Sequence, residues 1–290
     1  MLMPSQRQGV MYLEHCRIVA NDHRISFVRK EDAYEKYWSI PHYNVACLLL
    51  GSGTSLTQQA ARQLAEQGVM FAFVGGGGTP LYLASQSEYR PTEHLRDWLP
   101  IYQDPERSLR AAVSLQTARL AFVKPAWKAA LGSSTAYPDQ AAQAFLEAML
   151  HCKKTPELLG HEANYAKALY RALAEAHDME GFRRDPQAGD VVNALLDHGN
   201  YLAYGLAAVT LWALGIPPAL AVVHGKTRRG GLVFDLADVI KDGVIMPIAF
   251  ASAAEGDNRS AFRRRCVDQI DATRALPRLF KAMKDARDAA

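Results

Sequence analysis

Closely spaced cysteines are missing from this chain. The four present, Cys16, Cys47, Cys152 and Cys266, stand far apart in the sequence. That spacing excludes a Cys-x-x-Cys redox or zinc motif and makes free thiols in a reducing compartment the expectation. Long apolar runs are missing too. None reaches the roughly 18 residues of a membrane span, and the nearest approach, residues 201–223, is broken by Gly205, Gly215, Pro217 and Pro218. The opening MLMPSQRQGV lacks the apolar core of a secretory signal. A cytoplasmic protein without a membrane partner is expected. An excess of one charge is absent: the formal net charge is +3 over 290 residues. It permits a nucleic-acid partner, but any basic surface must be local. Glycine-rich phosphate loops fail on inspection. Gly225-Lys226-Thr227 has Leu220 where the motif needs a glycine, and Gly51-Ser52-Gly53 has Leu56 at the third glycine position. No internal repeat is visible.

At 49% hydrophobic and 22% charged residues, the chain can bury a sizeable core. Its two parts differ in texture. Short β-prone runs occupy residues 11–13, 16–20, 25–28, 38–40, 45–50, 69–74 and 81–84, with turns at 21–22 and 75–78. One helix is predicted over 56–67, with Thr54 or Ser55 as its cap and Gly68 as its stop. Beyond the polar stretch at 86–93, apolar residues recur at helical spacing over 111–122, 139–150, 161–176, 191–214 and 259–270. The expected fold is α+β: a small, sandwich-like β domain with one helix (1–86), a linker (87–94) and a larger all-α domain (95–290).

The densest chemistry lies in residues 222–250, VVHGKTRRGGLVFDLADVIKDGVIMPIAF. His224 ends an apolar run. Lys226, Arg228 and Arg229 follow in a glycine-rich turn, then Asp235 and Asp238. Residues three apart share a helix face, and these two acids are flanked by Leu232, Leu236, Val239 and Ile240. Acids among such neighbours need a partner. A divalent cation is one: magnesium prefers oxygen ligands, and manganese also accepts an imidazole. Glu162, near the apolar face marked by Leu169 and Leu173, is the best further donor. Arg259 and Arg263, four apart, suggest a second basic stripe with Arg264 and Arg265, and Arg183-Arg184 adds to it. Bland readings stand beside these. Glu162 fits a surface acid near a helix start, His224 a core histidine, Asp235 a helix cap, and Asp238 a partner of Lys241 or Lys226. The basic turn and stripe fit solvated surface.

The order Glu162, Asn193 within GDVVNALLDHGNYLAYG, His224, then Asp235-Leu236-Ala237-Asp238 with Lys241 and Pro247 behind, resembles the CRISPR-associated integrase family Cas1. The HGKTRRGG turn and the length lean toward its subtype I-F branch. The resemblance implies an endonuclease and integrase of antiviral defence that joins short double-stranded DNA into a CRISPR repeat array by transesterification. It implies a Mg²⁺ or Mn²⁺ ion held by Glu162, His224 and Asp238, with Asp235 also required at the site, as ligand or support. Lys241 matches a DNA-contacting basic residue. The family forms homodimers through the β domain and assembles with a Cas2 partner, which in the I-F branch is fused to the interference helicase-nuclease. A transposon-borne integrase with the same site and a non-catalytic DNA-binding scaffold are the rival readings, with a helical metalloenzyme acting on a small phosphorylated substrate behind them.

Overall fold

A computed structural model describes residues 7–22, 24–31, 34–74, 80–84, 92–132, 137–185, 188–225 and 229–290. The chain divides into two compact units, residues 1–90 and 91–290. In the first, strands β1 (Gln8–Leu13), β2 (Arg17–Asn21), β3 (Arg24–Glu31), β4 (Tyr34–Ser39), β5 (Val45–Leu50) and β6 (Ser55–Leu56) precede helix α1 (Gln58–Glu66). Strands β7 (Met70–Val74) and β8 (Pro80–Ala84) follow. They form two four-stranded sheets, ordered β1-β5-β7-β8 and β4-β3-β2-β6. β5 pairs in parallel with both β1 and β7, and every residue in it is buried. An uninterrupted VACLLL run is what a strand covered on both faces requires. Leu48 and Leu50 pack with Ile18, Ile25, Ile40 and Leu64.

The cap of α1 differs from expectation. Thr57 caps it, accepting from the Ala60 N–H at 3.3 Å. Ser55 and Leu56 instead pair with Arg17 and Ile18 of β2, and the Thr54 hydroxyl donates to the Leu13 carbonyl. Sheet pairing took the two residues that local propensity offered to the helix. The expected turn at 75–78 and residues 87–91 of the expected linker lie outside the described residues, and the next helix already begins at Glu93.

The second unit is helical: α2 (Glu93–Gln103), α3 (Pro105–Leu131), α4 (Asp139–His151), α5 (Thr155–Ala176), α6 (Val191–Leu214), α7 (Gly231–Glu255), α8 (Arg259–Ala272) and α9 (Ala275–Ala289). α5 starts six residues before the expected 161, because Thr155-Pro156 supplies a start with proline in its first turn. Glu162 therefore lies about two turns inside the helix instead of opening it. α6 matches the expected 191–214. The Asp190 carboxylate caps it, and Gly215 ends it in the left-handed conformation at φ 69°.

α7 is the axis of this unit. It packs chiefly against α3 and α6 and is apolar on nearly every side, the mark of a fully surrounded helix. A Cβ at Gly243 would stand 2.8 Å from both Ala126 Cβ and Phe122 Cε1 of α3. Gly243→Ala should cost about 1–3 kcal/mol through overpacking, although alanine is the better helix former. Urea unfolding checks this, and an unchanged midpoint would show that α3 yields freely. Among the described residues no helix is long and apolar enough to cross a membrane.

Candidate metal and phosphodiester centre

Three acids project from α7 at i, i+3 and i+7: Asp235, Asp238 and Asp242, each at most 3% exposed. Each meets a different partner. Asp235 faces the segment that descends from α6. Its Oδ2 accepts the backbone N–H groups of Val222 at 2.8 Å and Val223 at 2.9 Å. Its Oδ1 accepts the His224 backbone N–H at 2.9 Å and lies 2.8 Å from His224 Nδ1. One carboxylate thus satisfies three main-chain donors and orients the imidazole, as a partner to Nδ1 sets the role of Nε2. It is not the cap of its own helix, which begins at Gly231. There a Cβ would meet Ala221 Cβ at 2.8 Å and the His224 carbonyl at 3.1 Å. Gly231 is what allows α7 to start against the His224 backbone.

Burial alone would lower the basicity of His224. The Asp235 hydrogen bond and the charges of Asp238 and Asp235 outweigh it and raise its pKa above the usual value. Burial opposes ionisation of Asp238, but Lys241, Arg119 and His224 hold its carboxyl below the ordinary range. Lys241 Nζ lies 2.5 Å from Asp238 Oδ1. Asp238 in turn keeps Lys241 protonated well above its ordinary range, against a desolvation penalty. The pairing of Asp238 with Lys241 is therefore formed, and the ammonium expected at DNA already has a carboxylate partner.

Glu162 meets a residue that the sequence reading passed over. Arg119 of α3 is 1% exposed. Its Nη1 donates to Glu162 Oε1 at 2.7 Å and to Gln116 Oε1 at 3.0 Å, and its Nε donates to Asp242 Oδ2 at 2.8 Å. Nη2 also donates to Asp242 Oδ2. Burial works against this guanidinium's charge, and Asp242, Glu162 and Asp238 more than restore it. The Asp242 carboxyl is pushed up by burial, and Arg119 and Lys241 offset part of that. Its Oδ1 has no hydrogen-bond partner, while its main-chain carbonyl accepts Trp127 Nε1 at 2.7 Å.

Glu162, His224 and Asp238 thus belong to one electrostatic network, built around Arg119 and Lys241 and not around a single point. Among the described residues no three His, Cys, Asp or Glu side chains are grouped closely enough to hold a metal ion. The donor chemistry, one imidazole and several carboxylates, suits magnesium or manganese. Outside Glu162 lies a groove of about 970 Å³ with a mixed-charge lining that includes Lys167, Arg171, Arg183 and Arg184 but also Glu175 and Glu180.

The remaining basic candidates separate. Lys226 and Arg228 lie outside the described residues, and Arg229 is exposed beside them. Arg259 is exposed at the start of α8. Arg263 corrects the expected stripe: it is 8% exposed and points inward, with Nη1 3.3 Å from His198 Nε2. Arg184 is engaged by Asp197 and, at 2.8 Å, by Asn193. Asn193 also receives the Asp185 N–H and donates to the Arg183 carbonyl, both at 2.9 Å, so it fastens the 183–185 segment to α6.

A β-rich unit followed by a helical unit whose central helix carries buried carboxylates, one of them bound to a half-buried histidine, is the class that fold and site define. Residues 11–266 match the model of the family described as CRISPR associated protein Cas1, and the chain belongs to that family. It is 43% identical over 304 residues to the CRISPR-associated endonuclease Cas1 of Pectobacterium atrosepticum, covering 98% of this chain and 93% of the relative. The solved structure of a CAS1 protein from Thermotoga maritima superposes with a TM-score of 0.75 at 16% identity, covering 96% of each chain. A casposase bound to integration product has a TM-score of 0.68 at 15% identity, covering 91% of this chain and 82% of its own. The last two likenesses concern the fold.

Proposed function

We propose that this chain is a divalent-metal-dependent DNA endonuclease and integrase that inserts short duplexes into a CRISPR repeat array by transesterification. The observation that carries the reading is the His224–Asp235 clamp set beside Asp238 in a member of the Cas1 family. A carboxylate spent on placing one imidazole Nδ1 gives the other ring nitrogen a defined direction.

Mg²⁺ or Mn²⁺ would be held by Glu162, His224 and Asp238, with Asp235 as support. When bound, such an ion polarises a phosphoryl oxygen and stabilises charge on an entering or leaving oxygen. For that, Asp238 must exchange the Lys241 ammonium for the ion, which leaves Lys241 to meet a phosphate. Lys226, Arg228, Arg229 and Arg259 supply further positive charge toward double-stranded DNA. Arg263 does not contribute, since it is buried. The chemistry balances without an energy source: an incoming 3′-hydroxyl attacks a phosphodiester, one P–O bond forms, another breaks, and a 3′-hydroxyl leaves with the proton. The partners of this reading are a second copy docked through the β-rich unit and a Cas2 protein, free or fused to the interference helicase-nuclease as in subtype I-F, all in the cytoplasm. The likeness to a casposase favours one alternative, a transposon-type integrase, which would join DNA without needing a repeat.

The test is strand transfer of a short duplex into a repeat-bearing plasmid, with the Cas2 partner, in Mg²⁺ and in EDTA. Joining should require the ion and the repeat, and His224→Ala should abolish it while melting like wild type. Undiminished joining by His224→Ala, or in EDTA, overturns the proposal. Joining that ignores the repeat favours the alternative.

A further inference from the structure

We propose that Arg119 is a positioning residue: its buried guanidinium, with Asp242 as its counter-charge, fixes the Glu162 carboxylate by Oε1 and so leaves Oε2 to an ion. This rests on the reading of Glu162 as a metal ligand.

Arg119 joins three helices, from α3 to Glu162 on α5 and Asp242 on α7. Its guanidinium also lies 5.4 Å from the centre of the Tyr165 ring, and the Tyr165 hydroxyl is tied to Tyr137 at 2.6 Å. The side chain is thus held at its Nε, Nη1 and Nη2 atoms while buried. Asp242 is its largest counter-charge, receiving Nε and Nη2 on one oxygen. A salt bridge that served only the fold would be complete with that pair. The Nη1 bond reaches instead to a carboxylate with one open side, since the Glu162 side chain is 15% exposed and borders the groove. It commits Oε1 and leaves Oε2 as the oxygen for a ligand. Gln116, one helical turn before Arg119, takes the same Nη1 and sets its direction. Only a planar fork can hold Asp242 and Glu162 together; a lysine could neutralise Asp242 but would not fix Glu162.

The experiment measures Mn²⁺ affinity of the full chain by electron paramagnetic resonance, with thermal melting as the check on folding. Arg119→Lys, Glu162→Gln and the double variant form a cycle with wild type. Arg119→Lys should weaken Mn²⁺ binding about tenfold, the lower figure for losing a group that orients a ligand. The double variant should bind no more weakly than Glu162→Gln alone, because Arg119 then has no ligand to place. A folded Arg119→Lys with wild-type affinity overturns the proposal. So does a loss that persists in full on the Glu162→Gln background, which would mark a general structural role. If Arg119→Lys does not fold, Gln116→Leu keeps the Arg119–Asp242 pair. Its loss should be smaller and should vanish with Glu162→Gln; unchanged affinity again overturns the proposal. Wild-type protein that binds no Mn²⁺ would sink the metal reading itself, and this inference with it.

Discussion

Asp235→Ala should reduce strand transfer by about 100-fold, the upper figure for removing a group that orients a metal ligand, and should destabilise the helical unit by about 3 kcal/mol. The estimate follows from what the carboxylate accepts. Three backbone N–H groups, those of Val222, Val223 and His224, lose their acceptor together. Each buried donor left unsatisfied costs about 1–3 kcal/mol. Water entering the space left by the side chain recovers part of that, which leaves the expected loss at the low end of the sum, about 3 kcal/mol. Asp235→Asn separates shape from charge. One oxygen remains, but an NH₂ now faces two of the former donors, so it should recover little. The same loss releases His224, since its Nδ1 partner is also Oδ1 of Asp235. Stability and activity should therefore fall together in both variants. This differs from His224→Ala, where activity falls alone. Chemical denaturation together with strand transfer distinguishes the two patterns. A stable, inactive Asp235→Asn would instead make Asp235 a direct participant in the chemistry.

Elements with local punctuation were legible in the sequence. α6 is bounded by Asp190 and Gly215, both plain cap signals. His224 lies 2.8 Å from Asp235 and Asp238 follows one helical turn on, while Glu162 is held by Arg119. What failed were features decided by distant partners. Ser55-Leu56 reads as a helix start until β2 is there to pair with it. Arg263 lies four residues from Arg259, a spacing that by itself puts both on one exposed basic stripe. Yet Phe262, Cys266 and Ile270 mark the buried stripe of α8, and Arg263 sits against its edge. Arg119 had a signal of the same kind: Ala112, Leu115, Phe122, Val123 and Ala126 define the inward face of α3, and Arg119 lies within it. A cation on such a stripe implies a buried acid. Asp242, seven residues after Asp235, continues the stripe of acids on α7. No periodicity reveals that the two meet, because they are 123 residues apart in the chain.

That pairing yields the other large effect. Asp242→Ala should destabilise the protein by about 3 kcal/mol, the low end of the range for breaking a buried ion pair, because Glu162 still bonds Arg119. Glu162 remains as the only carboxylate bonded to Arg119, so the guanidinium is drawn toward it and Glu162 is pulled from its set orientation. Activity should fall with stability. Asp242→Asn keeps the shape, including the oxygen facing Arg119, and should lose less than Ala. The decisive variant is Arg119→Met combined with Asp242→Leu. Replacing a buried pair by apolar groups of similar volume is often neutral or stabilising. It also removes the unsatisfied Asp242 Oδ1, which burdens the native fold. The double variant should therefore regain wild-type stability in denaturant. It should not regain strand transfer, since nothing then holds Glu162 Oε1. Recovery of both would mean that the pair serves folding only. A double variant as unstable as Asp242→Ala would show that the loss came from packing around α3 and α7, and not from an uncompensated charge.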